Sequence, residues 1–268
     1  MRETAHETVR HPWSSAMVIL AAAAGTTLAS VGDIASFVDA PRTYNDFPSS
    51  TLAFSSAYAD PDASVSIHEQ DYGSGNFANR HMAWFGDAGA SKVDFDYGDA
   101  FDASLVMTVR KADAVGNVEA GFQADLFGFG LFGVLTASGE IAAFGSTLPF
   151  HTFGPGLYSV GDEIALRMIY RPGAGEGNLA DPSSMEYLYN NLTSGSGWVS
   201  SGEIDYGNSE GGIPSGFLQY FGVGAQINQP DALNGVAEID FSKINVDVPA
   251  PGALALLGLG MAGTRRRR

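Results

Sequence analysis

Between residues 101 and 247 apolar and polar positions alternate with a period of two. This is the pattern of strands that bury one face. Phe101 to Arg110 reads as a strand, Asp113 to Asn117 as a turn, and Val118 to Asp125 as the next strand. Gly130 to Thr136 follows, then a Ser138-Gly139 turn into Glu140 to Phe144. Asp162 to Tyr170 is stopped by Arg171-Pro172-Gly173. Met185 to Tyr189, Gln219 to Gln226 and Ala237 to Val246 complete the set, and the last points Ala237, Ile239 and Phe241 to one side. Residues 36 to 66, rich in Ser, Ala, Pro and Asp, read as one opening strand plus loops. No segment of this body carries a helical period, and no repeat or second domain is visible.

Short strands separated by Gly, Asn, Asp and Pro turns predict an all-β fold, an antiparallel two-sheet sandwich. Gly128, Gly130 and Gly133 interleave with Phe127, Phe129 and Phe132. Glycines inside strands mark bends and bulges, which a curved jelly roll accommodates better than a flat sandwich. The order of segments is similar to the concanavalin A-like lectin/glucanase superfamily, in which a closing strand such as Ala237 to Val246 precedes a C-terminal anchor.

The two ends follow different rules. Residues 16 to 29, from Ala16 to Ala29, form an apolar stretch of signal-peptide length, so residues 1–30 read as a signal peptide. Either Met17 is the true start, or Arg2, Glu3, Glu7 and Arg10 belong to a long, weakly basic leader. At the other end, Val248-Pro249-Ala250-Pro251 precedes a short glycine-containing apolar run, Gly252 to Thr264, and then Arg265, Arg266, Arg267 and Arg268. The run is short for a permanent span, which needs about 20 apolar residues. The arginines favour the cytoplasmic side. This arrangement resembles the PEP-CTERM sorting signal of Gram-negative bacteria in its Val-Pro-x-Pro variant, with Ala250 where the usual Pro-Glu-Pro has glutamate. The resemblance implies an exosortase substrate, transiently inserted in the membrane through residues 248–268. It would be cut near the prolines and delivered to the cell surface or extracellular matrix. The domain reading is therefore 1–30 signal peptide, 36–247 β-sandwich and 248–268 sorting signal.

Charge narrows the partners. The chain has 14 basic and 30 acidic residues. Without the two end segments the body keeps 8 basic and 28 acidic residues, a net charge of −20. Such a surface repels nucleic acid and attracts divalent cations. There is no cysteine, so an exported chain of this kind is held by its core, by bound metal, or by both.

Three constellations carry candidate chemistry. Asp94, Asp96, Asp99 and Asp102 offer oxygen ligands at a spacing that suits Ca²⁺, although no EF-hand glutamate follows. Trp84, Tyr97, Trp198 and Tyr206 are candidate aromatic platforms for sugar rings, with extracellular polysaccharide as the partner. Glu203-Ile204-Asp205 begins like the Glu-x-Asp-x-x-Glu strand of family 16 glycoside hydrolases. The next carboxylate, Glu210, arrives after a Gly-Asn turn and breaks the period-two geometry that would aim all three into one cleft. No catalytic residue is assigned. The sequence thus predicts an exported glycan-binding or structural sandwich, with a secreted hydrolase of the same fold as the alternative.

Overall fold

A computed structural model describes residues 31–248, apart from 60, 114–115, 126–128, 146–147, 175–177, 179 and 207–218. The signal-peptide segment, Pro249, Pro251 and Arg265 to Arg268 lie outside the described residues. After one 3₁₀ turn at Val31–Asp33 the described chain is built of strands. In order they are β1 (Ser36–Asn45), β2 (Thr51–Ala57), β3 (Ala63–Gln70), β4 (Ala78–Gly86), β5 (Phe101–Ala112), β6 (Asn117–Asp125) and β7 (Phe129–Leu135). Then come β8 (Glu140–Gly145), β9 (His151–Gly154), β10 (Glu163–Arg171), β11 (Ser184–Asn191), β12 (Val199–Asp205), β13 (Tyr220–Asn228) and β14 (Val236–Asp247).

Two seven-stranded sheets result. Sheet A has the order β1-β4-β13-β6-β7-β8-β9, and sheet B the order β12-β11-β10-β5-β14-β3-β2. All pairings between these strands are antiparallel. The expected two-sheet sandwich is therefore present. Residues 36–66 differ from expectation: they hold β1, β2 and the start of β3 rather than one strand and loops.

Alternation explains the core. In β5, Phe101, Ala103, Leu105, Met107 and Val109 are buried, while Asp102, Ser104, Val106 and Thr108 lie between them, only partly covered. In β14, Ala237, Ile239 and Phe241 face inward, as the sequence predicts. A bulge at Ser242 and Lys243 (Lys243 φ 50°) then interrupts the ladder, and Ile244 resumes the buried side. Between the sheets the rings of Phe85, Phe95, Phe101 and Phe122 surround Phe221, with centroids 5.3–5.5 Å from it.

One end of the sandwich interior is polar. Glu69 on β3 and His81 on β4 have no solvent exposure in their side chains. The Glu69 carboxylate accepts hydrogen bonds from Ser50 Oγ (2.5 Å) and Asn79 Nδ2 (2.7 Å), faces His81 Nε2 at 2.8 Å, and lies 3.3 Å from Arg42 Nη1. The backbone N–H of Arg42 donates to His81 Nδ1 at 3.1 Å. That bond needs a lone pair on Nδ1, so the ring proton sits on Nε2 and points at Glu69. Arg42 itself adopts a left-handed conformation (φ 60°) within the β1 bulge, and its Nη2 donates to the carbonyl of Ser50. The cluster thus ties the β1–β2 connection, which passes from sheet A to sheet B, to β4 and β3, the strands next to the edge of each sheet.

Burial opposes ionisation of Glu69, but the hydrogen bonds from His81, Ser50 and Asn79 win and hold its carboxyl below the usual range. A folded value below the unfolded one, about 4.3, means the stabilisation is complete above that pH and is lost as pH falls through the folded value. Glu69→Ala should cost about 3–5 kcal/mol in urea unfolding, because it strands buried donors. The difference in melting temperature between wild type and Glu69→Gln should shrink below about pH 4. A difference that stays constant across that range would show that this carboxylate is not the titrating group.

Candidate functional site

The outer face of sheet A is where the chain departs from ordinary strand chemistry. An outward face of an antiparallel sheet is usually solvated and polar. Here Met82, Trp84, Gln123, Leu131 and Ala142, all outward by alternation, are at most 3% exposed. Pairing places Gly224 of β13 opposite Gly121 of β6, and Gly121 opposite Gly133 of β7. This row across three strands carries no side chain. The strands approach so closely there that a Cβ on Gly121 would stand 2.3 Å from the Phe132 carbonyl oxygen, and one on Gly133 2.0 Å from that of Ala120.

Arg80 of β4 occupies this side of the sheet. Its Nε donates to Gln123 Oε1 at 2.9 Å, two strands away. Its guanidinium lies 4.7 Å from the Phe129 ring centroid and 5.8 Å from that of Trp84. A planar, weakly hydrated guanidinium stacks well on such rings. From the hairpin after β4, Lys92 places its Nζ 4.7 Å from the Trp84 centroid and 4.6 Å from that of Tyr220. Two cations therefore share one indole.

Three N–H donors on this face have no partner. Arg80 Nη2, Trp84 Nε1 and Gln123 Nε2 are buried and make no hydrogen bond. Buried donors left unpaired are costly, of order 1–3 kcal/mol each and more for a charged group, so natural structures rarely keep them without a use. Burial pushes the Arg80 pKa down, partly offset by the charge of Asp125. A second acid of this face, Glu119, accepts from Asn117 Nδ2 and Gln226 Nε2 and is pushed up by burial.

The expected sites compare as follows. Trp84 belongs to this array, but at 1% exposure and with cations against it the ring offers no free stacking face. Tyr206 is a correction: it is fully buried in the core, 5.7 Å from the ring of Tyr170. Tyr97 is partly buried, and its carbonyl accepts from Tyr170 Oη at 2.8 Å. Trp198 is 51% exposed just before β12, the edge strand of sheet B. The four aromatics thus form no single platform. Glu203 lies on that edge strand, 59% exposed, and pairs with Arg171.

The aspartates do not make a calcium centre. Both oxygens of Asp102 are taken by Arg167 across the β5–β10 ladder. An Asp99 oxygen accepts the N–H of Asp96 at 2.8 Å. Asp94 is pushed up by burial and then by the charges of Asp96 and Asp99. Among the described residues no three His, Asp or Glu side chains are gathered to hold a metal. The residues therefore do not fit the ion expected from their spacing.

Sheet B has an outer depression of about 400 Å³. Ser55, Ser66, Thr108 and Ser242 line it around the Arg110–Asp240 pair. Its polar groups satisfy one another: Ser66 Oγ also donates to Asp240, at 2.7 Å. The sequence reading missed Arg80, Lys92 and Gln123. Their only signal was the outward register they share with Trp84 or with the strand glycines.

Residues 247–268 match the PEP-CTERM protein-sorting motif. The motif marks an exported, surface-associated protein of the Gram-negative type. No curated protein matches the chain. Among solved structures, similarity extends to a functionally unknown protein from Saccharomyces cerevisiae, at 12% identity and TM-score 0.44 over 77% of this chain and 100% of that one. A protein of unknown function from Shewanella oneidensis MR-1 is 11% identical, TM-score 0.36, over 81% and 90%. The exoplasmic/lumenal domain of VIP36, in a Ca²⁺/Man3GlcNAc-bound form, is 10% identical, TM-score 0.33, over 81% and 93%. Similarity at this level carries no inference about ligand or activity.

Chelation by EDTA should leave the melting temperature unchanged. Asp102→Asn should cost no more than about 1 kcal/mol, the ceiling for a partly exposed ion pair. A large loss of stability on chelation would restore a metal to this protein.

Proposed function

We propose that this protein is an exported, non-catalytic β-sandwich that binds glycan in the extracellular polysaccharide layer. In this reading an exosortase-type enzyme processes the tail near Pro249 and Pro251, and the binding surface lies around Trp198 at the edge of sheet B. The observation that supports it is the exposure of Trp198, 51%, beside the likewise exposed Leu192 and Val199. Sugar faces stack on exposed aromatic rings, with polar groups nearby to fix their hydroxyls. The acidic body suits a soluble component of such a layer.

The test is retention of the full-length chain on immobilised polysaccharides. Trp198→Ala should fold normally, since an exposed side chain contributes within about 0.5 kcal/mol, and should weaken retention about tenfold, the equivalent of about 1.4 kcal/mol, with an unchanged circular dichroism spectrum. Failure of the wild type to bind any polysaccharide would leave a purely structural matrix protein.

A further inference from the structure

One lateral side of the sandwich lacks charge. It is formed by β9 and β12, the edge strands of sheet A and sheet B. The two edges lie on the same side: the Phe153 ring of β9 packs on Tyr189 of β11 with centroids 4.8 Å apart, and Tyr187 Oη donates to the Pro149 carbonyl at 3.1 Å. In a chain of which 16% is Asp, Glu, Lys or Arg, residues 141–161 and 187–202 contain none. These two stretches supply β9, most of the β9–β10 connection, most of β11 and the turn that leads into β12. Burial holds His151 below its ordinary value, so its ring adds no charge at neutral pH. Of the nine large hydrophobic side chains exposed among the described residues, five stand on these stretches: Phe150, Val160, Leu192, Trp198 and Val199.

The turn that carries Trp198 is held by one buried side chain. Asn191 Nδ2 donates to the Leu157 carbonyl and to Asp162 Oδ2, both at 3.1 Å, and its Oδ1 accepts the N–H of Ser194 at 3.0 Å. The Asn191 carbonyl accepts the N–H groups of Gly195 and Ser196. Gly195 and Gly197, at φ 69° and 74°, take the left-handed steps that a side chain would strain. The turn is thus ordered before any ligand arrives, which lowers the entropic cost of binding. Neither edge is built to accept a further strand. β9 has four residues, and β12 breaks register with β11 between Glu186 and Leu188, where Gly202 has φ 71°. A second copy would meet the same interruptions and bring the same net charge of −20.

Resting on the glycan reading above, we infer that the surface around Trp198 takes uncharged glycans and rejects acidic ones. The charged groups at its border are carboxylates. Glu163 is tied to the Trp198 turn by two bonds, its N–H donating to Thr193 Oγ1 at 2.8 Å and its carbonyl accepting the N–H of Leu192 at 2.9 Å, and Asp162 receives Asn191. The arginines of this half of sheet B are committed elsewhere, Arg167 to Asp102 and Arg171 to Glu186 and Glu203. A uronate or sulfate brought against the indole would lose water and gain no counterion, with like charge beside it. A neutral sugar pays neither penalty. Its C–H face stacks on the ring, and Asn190, Thr193, Ser194 and Ser196 bring uncharged polar groups to the same segment.

The experiment compares retention of the full-length chain on immobilised polysaccharides matched in backbone and different in charge. The pairs are hydroxyethyl against carboxymethyl cellulose, agarose against carrageenan, and methyl-esterified against de-esterified polygalacturonate. At low salt the acidic body repels every polyanion, so the deciding comparison is made in about 1 M salt, where the Debye length is about 3 Å. The expected result there is that a neutral member retains the chain at least about tenfold more strongly than its acidic counterpart, and that Trp198→Ala removes this retention. A preference seen at low salt and gone at high salt would assign the rejection to net charge and overturn the selectivity of this surface. Equal retention on both members in high salt, weakened on both by Trp198→Ala, would overturn the uncharged class and leave the glycan reading standing. Retention untouched by Trp198→Ala would overturn the surface named here. Retention on no polysaccharide would overturn both the inference and the reading beneath it.

Discussion

Phe221 is the point on which this molecule turns. Its ring meets Phe85, Phe95, Phe101 and Phe122, and so joins sheet A to sheet B at the centre of the sandwich. Ring pairs of this kind are each worth about 0.5–1.5 kcal/mol beyond the area they bury. With no cysteine in the chain, such packing has to do what disulfides do in many exported domains. The constraint reaches further than the core. On β13 a buried Phe221, Val223 and Ala225 leave Gly222 and Gly224 pointing outward, because successive residues take opposite faces. The strand that anchors the interior is thus the one that clears the outer surface.

That clearance is what admits Arg80. A guanidinium laid across β13 to reach Gln123 on β6 needs the intervening position to lack a side chain, and Gly224 and Gly222 lack one. The aromatic rings beside it then shield the charge from water. Burial strengthens whatever electrostatic contact is made and raises the cost of making none. The outer face of sheet B, by contrast, is laced with cross-strand ion pairs such as Lys111–Glu238 and Arg110–Asp240.

The Glu69 cluster addresses a different difficulty. A chain that begins in sheet A and passes to sheet B within a few residues must bury backbone groups at the crossing. Asn79 meets both sides of this, donating to the Phe47 carbonyl and accepting the Phe47 N–H, while Arg42 takes the Ser50 carbonyl. A single ionised carboxylate at the centre organises the donors. Its burial is tolerable only because every neighbour aims a proton at it.

Period-two alternation from residue 101 onward was sufficient for the all-β class and for most strands of the second half, since burial of one face is a local property. The tail was legible for the same reason: order and composition alone carry its meaning, and residues 247–268 bear the sorting motif. β1 is short of β-branched residues and β4 is buried on both faces, so neither shows the alternation that betrays a strand. β2 and β3 do alternate, with Leu52 and Phe54, and Val65 and Ile67, at every second position, and were missed although the pattern was present. The candidate sites failed for a related reason. Asp94 to Asp102 look like a ligand set in one dimension, but Arg167, 65 residues away, claims Asp102. Tyr206 resembles any surface tyrosine until the second sheet covers it. Arg80, Lys92, Gln123 and the glycines of β6, β7 and β13 are scattered over more than 140 residues. Sequence determined how each strand would present its two faces; only the register between strands decided which side chains would meet, because register is set by long-range packing and not by neighbours along the chain.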